Sequence, residues 1–170
     1  MNKISYLKYH RDRAYSENKS LFRNIFKKRL VLMNRFINTK GGRVLDIGCS
    51  NGVFLDLFKE NGATSLKTYG VNWETWGVEP SENAKVASRK GHKIVRGFFE
   101  KASLPENFFD LVIVNHTLEH MDDPVAVLQK VHGILKNGGI IYVDVPNAGG
   151  LGAKILGKHW PYLLPSEHKH

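Results

Sequence analysis

The sequence contains a single cysteine among its 170 residues, so an internal disulfide cannot form. The class of small disulfide-stabilised secreted domains is therefore excluded, and a reducing, cytoplasmic setting is the default expectation. Long apolar runs are also lacking, since none approaches the ~20 residues that a membrane-spanning helix needs. The N-terminus carries charges but no apolar signal-peptide core. Cysteine and histidine show no metal-ligand spacing, so we predict no metal site.

Acidic residues are scarce in the first 43 positions, which hold twelve lysines and arginines against Asp12 and Glu17. The rest of the chain is nearly neutral, with thirteen basic and fourteen acidic residues, so the net charge of +9 belongs to an N-terminal arm. Apolar residues recur in this arm at helical spacing, namely Leu21, Phe22, Ile25, Phe26, Leu30 and Met33. Two interpretations stay open: a helix that packs on the domain with a solvated basic face, or a surface for an anionic partner such as nucleic acid or an acidic membrane.

The segment from Val44 to Gly52 is the most informative feature of the chain. An apolar strand pattern ends near Asp46, and the small-residue turn Gly48-Cys49-Ser50-Asn51-Gly52 follows it. A helical pattern begins immediately afterwards, at Val53. Glycines allow a tight turn and the close approach of a ligand, and the next helix directs its unpaired N–H groups toward that ligand. The pattern predicts the ligand crevice of an open α/β sheet.

Further strands and helices alternate along the rest of the chain. The second strand is predicted to end at Glu79, and the third to cover Lys93–Arg96. The fourth strand is predicted over Phe108–His116, followed by a helix that Asp123-Pro124 starts and Lys136–Gly139 stops. A fifth strand is predicted over Ile140–Val145. The fourth strand is almost continuously apolar, which indicates burial on both faces. Leu151 to Leu156 are compatible with one short helix.

Two residues are candidates for the last position of the second strand. An acidic residue that binds the ribose is expected about 20 residues after a glycine turn of this kind. The spacing alone favours Asn72, which stands 20 residues after Gly52. We nevertheless choose Glu79, because a carboxylate is the stronger hydrogen-bond acceptor and Pro80-Ser81 leads directly into the next helix. Residues 63–73 then form an inserted loop or a short extra strand.

The glycine turn resembles the D-x-G-x-G-x-G motif of the class I S-adenosylmethionine-dependent methyltransferases, as Asp46, Gly48, Ser50 and Gly52, with serine at the middle glycine. Four blocks common in small members of that family follow in order: F-D-x-V at Phe109–Val112, L-E-H at Leu118–His120, D-P at Asp123-Pro124 and L-K-x-G-G at Leu135–Gly139. The resemblance covers residues 41–147. It implies an α/β fold with a Rossmann-like, doubly wound, mostly parallel sheet of about five strands, preceded by a helical arm.

The resemblance also implies a domain organisation. We expect a basic helical arm over residues 1–40, an S-adenosylmethionine-binding domain over 41–147, and a tail of the same domain over 148–170. Family members have two further strands beyond the fifth, whereas only 24 residues follow Pro146 here. We therefore expect these strands to be missing, as in a C-terminally truncated member or a piece of a longer protein. The fifth strand would then be an open edge at which a homodimer could form.

The family's site residues carry over position by position. The resemblance implies that Asp46, Gly48, Ser50 and Gly52 line the methionine part of S-adenosylmethionine, that Glu79 binds the ribose, that Phe98 and Phe99 wall the adenine, and that Asn115 lies beside the sulfonium. Many members have an acidic residue where Phe98 stands, and phenylalanine cannot accept the bond from the adenine amine. His116 and His120 are the catalytic candidates, since a histidine can take a proton from an alcohol or phenol near neutral pH. For His120, a structural hydrogen bond to the loop is the alternative.

The implied function is methyl transfer from S-adenosylmethionine to a small-molecule acceptor, such as a sugar, a lipid precursor or a quinone ring. The alternative is a non-catalytic module of the same fold that uses its basic arm to bind an anionic partner. A nucleic-acid methyltransferase is not favoured. Asn115-His116-Thr117-Leu118 stands where many amino-methylating enzymes of that class have an N/D-P-P-aromatic block.

Overall fold

A computed structural model describes residues 19–37, 41–60 and 73–160. Its helices are α1 (Lys19–Met33), α2 (Val53–Lys59), α3 (Asn83–Arg89), α4 (Pro124–Ile134) and α5 (Leu151–Leu156). Its strands are β1 (Gly42–Ile47), β2 (Trp73–Glu79), β3 (Lys93–Arg96), β4 (Phe109–Asn115) and β5 (Leu135–Asp144), and short 3₁₀ turns cover Phe99–Lys101, Leu118–His120 and Gly157–His159. Asn72 and the arm before residue 19 lie outside the described residues.

The five strands form one parallel sheet in the order β3-β2-β1-β4-β5. Strand order reverses between β1 and β4, so the connections after these strands leave the sheet in opposite directions. Such a switch point opens a crevice at the carboxyl ends of the strands, which is where ligands bind in open α/β sheets. The predicted α/β fold class with a Rossmann-like parallel sheet is confirmed.

The centre of the sheet is buried on both faces, as the apolar β4 pattern predicted. Leu111 and Ile113 of β4 join one core cluster with side chains of α1 and α2. Val112 and Val114 point to the opposite face and join a second cluster with side chains of α4. Successive residues of a strand point to opposite faces, so a strand with helices on both sides is apolar at every position.

Helix α1 belongs to the core of the described structure. Phe26, Leu30 and Met33 are buried, and the Phe26 ring stacks on Phe54 of α2 with ring centroids 4.5 Å apart. Leu21, by contrast, is exposed. The apolar stripe therefore packs on the domain, as one of the two sequence interpretations proposed for this helix. The domain boundaries stay a prediction.

The start of β5 differs from the prediction. Helix α4 ends at Ile134, and Lys136–Gly139 is not a separate turn before the strand. Leu135 already pairs with Phe109, and pairing resumes at Ile140 opposite Leu111, so the intervening residues form a bulge within β5. Gly138 allows this bulge because its φ is 77°. The Lys136 Nζ anchors it by donating to Asp110 Oδ1 over 2.7 Å.

The fourth strand is also one residue shorter at each end than predicted, since it covers Phe109–Asn115. His116 has left the strand and adopts a φ of 52°. Across the described residues, no helix has the length and apolarity to cross a membrane.

Candidate functional site

The loop between β1 and α2 requires both of its glycines. Gly48 and Gly52 have φ values of 77° and 78°, in the left-handed region that favours glycine. A Cβ on Gly48 would lie 2.7 Å from Thr117 Oγ1, and one on Gly52 would lie 2.8 Å from His92 Cδ2. Backbone conformation and close packing therefore both exclude a side chain at these positions.

Ser50, at the middle position of the motif, also adopts a left-handed conformation, with a φ of 45°. Its Oγ accepts a hydrogen bond of 3.1 Å from Asn83 Nδ2 at the start of α3. Its backbone N–H donates to Glu79 Oε2 over 2.9 Å. The serine thus ties the glycine loop to the segment after β2, and Ser50 does not line the cavity described below.

Glu79 ends β2 and lies buried at the crevice. Besides the bond from Ser50, its Oε1 accepts a hydrogen bond of 2.7 Å from the backbone N–H of Ser81. A carboxylate has about four acceptor positions, so these two bonds are compatible with further bonds from a ligand's hydroxyl groups. The choice of Glu79 for the end of the second strand agrees with its position, whereas Asn72 lies outside the described residues.

Asp46, in β1, is a second buried carboxyl group in this region. Burial raises the pKa of Asp46 well above its ordinary value, and the charge of Glu79 raises it further. A positively charged ligand bound nearby would favour the ionised forms of both carboxyl groups. Burial, followed by the charges of Asp46 and Glu79, also raises the pKa of the Cys49 thiol, which agrees with a packing role for that residue.

A cavity of about 570 Å³ opens beside the glycine loop. Its walls come from the ends of β1 and β2, the turn after β3, and the segment from Thr117 to Lys130. The volume lies within the range of about 300–1,000 Å³ that small-molecule sites occupy. Gly48, Phe98, Phe99 and His120 of the predicted site residues line it. The other six, Asp46, Ser50, Gly52, Glu79, Asn115 and His116, are not among the lining residues.

Lys130 is a cavity residue that sequence reasoning missed. Its Nζ donates to the carbonyl oxygens of Phe99, Glu100 and Ala102 over 2.7, 3.1 and 2.7 Å. Burial lowers the pKa of Lys130. The lysine thus fixes the 3₁₀ turn that carries the cavity wall after β3. No local pattern identifies it, because the contact joins α4 to a turn about 30 residues earlier.

Asn115 and His116 stand at the carboxyl end of β4. Among the described residues, the buried Asn115 Oδ1 has no hydrogen-bond partner. The His116 Nε2 lies 3.2 Å from a terminal guanidinium nitrogen of Arg29, and its Nδ1 lies 3.4 Å from Glu119 Oε1. Burial opposes the charge of Glu119, but the interaction with His116, a backbone N–H and then the nearby His120 outweigh it and lower the pKa of this carboxyl group. His120, the other catalytic candidate, is buried and lines the cavity.

A polar network supports the glycine loop. The Asp56 Oδ2 accepts from Lys90 Nζ over 2.8 Å, and Lys90 also donates to the carbonyl of Asn51 over 2.6 Å. The buried His92 ring links Asp56 Oδ1, at 3.0 Å, to Thr75 Oγ1, at 2.8 Å. These contacts join α2, β2 and the turn between α3 and β3, so they hold the loop in place against the sheet.

Comparison with known proteins identifies relatives over most of the chain. A family model described as a methyltransferase domain matches residues 10–170. The chain is 30% identical over 121 residues to a demethylmenaquinone methyltransferase of Geobacillus stearothermophilus, covering 70% of this chain and 51% of that protein. It is 32% identical over 113 residues to a ubiquinone biosynthesis O-methyltransferase of a Bradyrhizobium species, covering 63% of this chain and 41% of that protein.

A solved structure of an S-adenosylmethionine-dependent methyltransferase from Archaeoglobus fulgidus superposes with a TM-score of 0.63 at 27% identity. The match covers 87% of this chain and 62% of that one. The chain spans about half the length of the curated relatives it matches.

Proposed function

Because this chain belongs to the methyltransferase domain family, whose cofactor is S-adenosylmethionine, we propose that it transfers a methyl group from that cofactor to a small hydroxyl-bearing acceptor. The observation that carries the proposal is the position of Glu79. Its carboxylate joins the glycine loop to the end of β2, where the two hydroxyl groups of a ribose would reach it.

The residues of the crevice fit the proposed cofactor. The buried Asn115 Oδ1, which lacks a partner among the described residues, supplies an acceptor for a cationic or N–H group. Asp46 and Glu79 favour a ligand that carries positive charge, as the sulfonium and ammonium groups do. Phe98 and Phe99 line a cavity of suitable size for the adenine and would wall its ring.

The acceptor class rests on two lines of support. Both curated relatives carry names of enzymes from quinone biosynthesis, and one of the names specifies O-methylation. In this chain, His116 stands beside Glu119 at the carboxyl end of β4. A histidine oriented by a carboxylate is a suitable base for removing a hydroxyl proton.

The bound cofactor supplies an activated methyl group, so the chain's main task is to hold the acceptor atom at about 3 Å from it and in line. His116 accepts the proton that the acceptor loses, and Glu119 stabilises the resulting imidazolium. Val127 of α4 and Phe99 of the turn after β3 are buried apolar side chains of the cavity wall on the proposed adenine side.

The test is calorimetric titration of the chain with S-adenosylmethionine and S-adenosylhomocysteine. We expect wild type to bind both, and Glu79→Ala to weaken binding at least tenfold, because hydrogen bonds to a charged group contribute about 1.5–3 kcal/mol. Glu106→Ala, at an exposed position, is the matched control and should bind as wild type does. Transfer of a labelled methyl group to a panel of phenols and hydroxyquinones then identifies the acceptor.

A folded chain that binds neither cofactor form would contradict the proposal. It would favour the alternative, a binding module for an anionic partner, whose affinity for a polyanion should fall steeply with salt. Part of the basic surface is already used within the described chain. Arg23 pairs with Glu60, and Arg29 pairs with Asp144, so these two side chains already have acidic partners within the described chain.

A further inference from the structure

Arg29 connects the N-terminal helix to the carboxyl ends of two strands. From α1, its Nε lies 2.7 Å from Asp144 Oδ2 at the end of β5. One of its terminal nitrogens lies 3.2 Å from Nε2 of His116, just after β4. Tyr142 donates its hydroxyl hydrogen to the same Asp144 oxygen over 3.2 Å. The guanidinium is therefore held by an anion on one side and faces the ring of a catalytic candidate on the other.

The contact with Arg29 determines where the imidazole proton lies. A guanidinium has five N–H donors and no acceptor, so the Nε2 of His116 must be the acceptor in this pair. A neutral imidazole carries one proton, which must then be on Nδ1. That nitrogen faces Glu119 Oε1 at 3.4 Å, so the proton points toward a carboxylate. The two neighbours thus favour the same tautomer.

Glu119 provides an independent reason for this arrangement. Its side chain is only 4% exposed, and apart from the long contact with His116 its two oxygens have no hydrogen-bond partner among the described residues. A buried carboxylate is costly unless a donor faces it. Catalytic hydrogen bonds are often long before substrate binds and shorten when the ring becomes charged. The left-handed φ of 52° at His116 is the type of backbone strain that proteins retain at functional sites.

We propose that Arg29 is a positioning residue for His116. Its guanidinium holds the neutral ring as the Nδ1–H tautomer, which leaves Nε2 as the atom that takes the acceptor's proton. The catalytic meaning of this arrangement rests on the proposed function. When the acceptor binds, its hydroxyl replaces the Arg29 N–H on Nε2, while Arg29 keeps its ion pair with Asp144.

The proton and electrons of the step balance within the site. The acceptor's O–H bond breaks, and its proton moves to the lone pair of Nε2. The oxygen's electron pair forms the bond to the methyl carbon, and the sulfur keeps the pair of the broken C–S bond. His116 ends as an imidazolium with N–H groups toward both the product and Glu119.

Nuclear magnetic resonance of the chain labelled with ¹⁵N histidine tests the tautomer without any acceptor. The spectrum is recorded two pH units above the ordinary histidine pKa of about 6.5, so that a neutral ring is observed. The His116 signals are assigned by their loss in His116→Gln. We expect Nδ1 in the protonated range and Nε2 in the unprotonated range. An Nε2–H tautomer in wild type would overturn the proposal.

Variants of Arg29 then test whether Arg29, and not Glu119 alone, sets the tautomer of His116. Arg29→Met removes the donor, and we expect the His116 signals to shift toward the Nε2–H tautomer. Arg29→Gln retains an N–H donor and should restore the wild-type pattern. Arg35→Met, at an exposed arginine just after α1, is the matched control. Unchanged His116 signals in a folded Arg29→Met would contradict a role for Arg29.

The tautomer measurement and the test of the proposed function can fail independently of each other. Binding of S-adenosylhomocysteine, measured on the same samples, should be equal in wild type and Arg29→Met, because Arg29 contacts the β4 and β5 ends and not the Glu79 side. If the tautomer is as proposed but S-adenosylhomocysteine does not bind, the methyltransferase proposal fails and the positioning contact stands. If it binds but the tautomer is Nε2–H, the positioning proposal alone fails.

Discussion

At the residue scale, Ser50 shows how the glycine loop accommodates a side chain. A non-glycine residue in the left-handed region costs about 1–2 kcal/mol. The serine offsets part of this through the bond that its Oγ accepts from Asn83. The departure from the family motif therefore changes how the loop is attached to α3 and leaves the cavity walls unaffected.

Substitutions of Ser50 test this balance. Ser50→Ala keeps the strained φ and loses the bond to Asn83, so the free energy of unfolding should fall by about 1 kcal/mol. Ser50→Gly loses the same bond but relieves the strain, so its unfolding free energy should stay closer to that of wild type. Urea denaturation of the three proteins gives the comparison. An alanine variant as stable as the glycine variant would contradict the account.

Gly48 is the position in the same loop that should tolerate substitution least. In Gly48→Ala, the new methyl group meets Thr117 and the φ of 77° becomes unfavourable, so we expect a loss of about 1–3 kcal/mol in stability. Gly133→Ala is the matched control. Its Cβ meets nothing within 4 Å in the exposed part of α4, and it should stabilise the helix by about 0.5–1 kcal/mol. Thermal denaturation should shift the two midpoints in opposite directions.

At the scale of elements, the turn after β3 is held by a side chain from α4. Lys130 donates to three carbonyl oxygens of this turn, and the turn carries Phe98 and Phe99 to the cavity. The helix therefore sets the geometry of a loop that is distant from it in sequence. Without the lysine, three carbonyl groups would lose a partially buried donor.

Replacing this lysine should impair the cavity more than the fold. In Lys130→Met, we expect affinity for S-adenosylhomocysteine to fall about tenfold, equivalent to about 1.4 kcal/mol. Lys154→Met, at an exposed position of α5, should leave affinity unchanged. Calorimetric titration measures both. Equal affinity in the two variants would show that the turn keeps its shape without Lys130.

At the scale of the whole molecule, Asp56 links stability to pH. Burial opposes ionisation, but hydrogen bonds from His92 and Lys90 outweigh it and lower the pKa of Asp56 from its ordinary value of 3.8. A lowered pKa in the folded state means that this stabilisation is present above about pH 4 and is lost as pH falls below it. The network joins α2 to β2 and to the turn between α3 and β3, so its loss should affect unfolding of the whole domain.

Asp56→Asn should lower the free energy of unfolding at neutral pH by about 1–2 kcal/mol, the value of charged hydrogen bonds reduced for partial exposure. It should also flatten the fall in stability below pH 4. Denaturant titrations at several pH values measure both effects, with Glu106→Gln as the exposed control. A steep acid limb in Asp56→Asn, like that of wild type, would assign the acid sensitivity to other carboxylates.

The edges of the sheet also belong to this scale. β5 forms one edge of the described sheet, and Ile141 and Val143 along it and Val145 just after it are exposed. Exposed apolar strands at an edge are sites where another chain can pair. A homodimer through this edge stays a prediction, which sedimentation velocity over a range of protein concentrations would test.

The sequence by itself determined the alternation of strands and helices, the glycine turn and Glu79 at the end of β2. These features depend on local patterns, namely apolar periodicity, capping residues and glycines, which act within a few residues. The prediction that Lys136–Gly139 separates the helix from a strand beginning at Ile140 was wrong, because the helix-stop pattern does not reveal that Leu135 already pairs with β4.

Only the tertiary structure decided which side chains meet at the crevice. Arg29 and His116 are 87 residues apart, and Ser50 and Asn83 are 33 apart. Each contact exists because the parallel sheet brings the carboxyl ends of distant strands together and α1 packs beside them. No periodicity encodes a contact of this kind, since the position of a side chain relative to a remote element is set by the packing of the whole core.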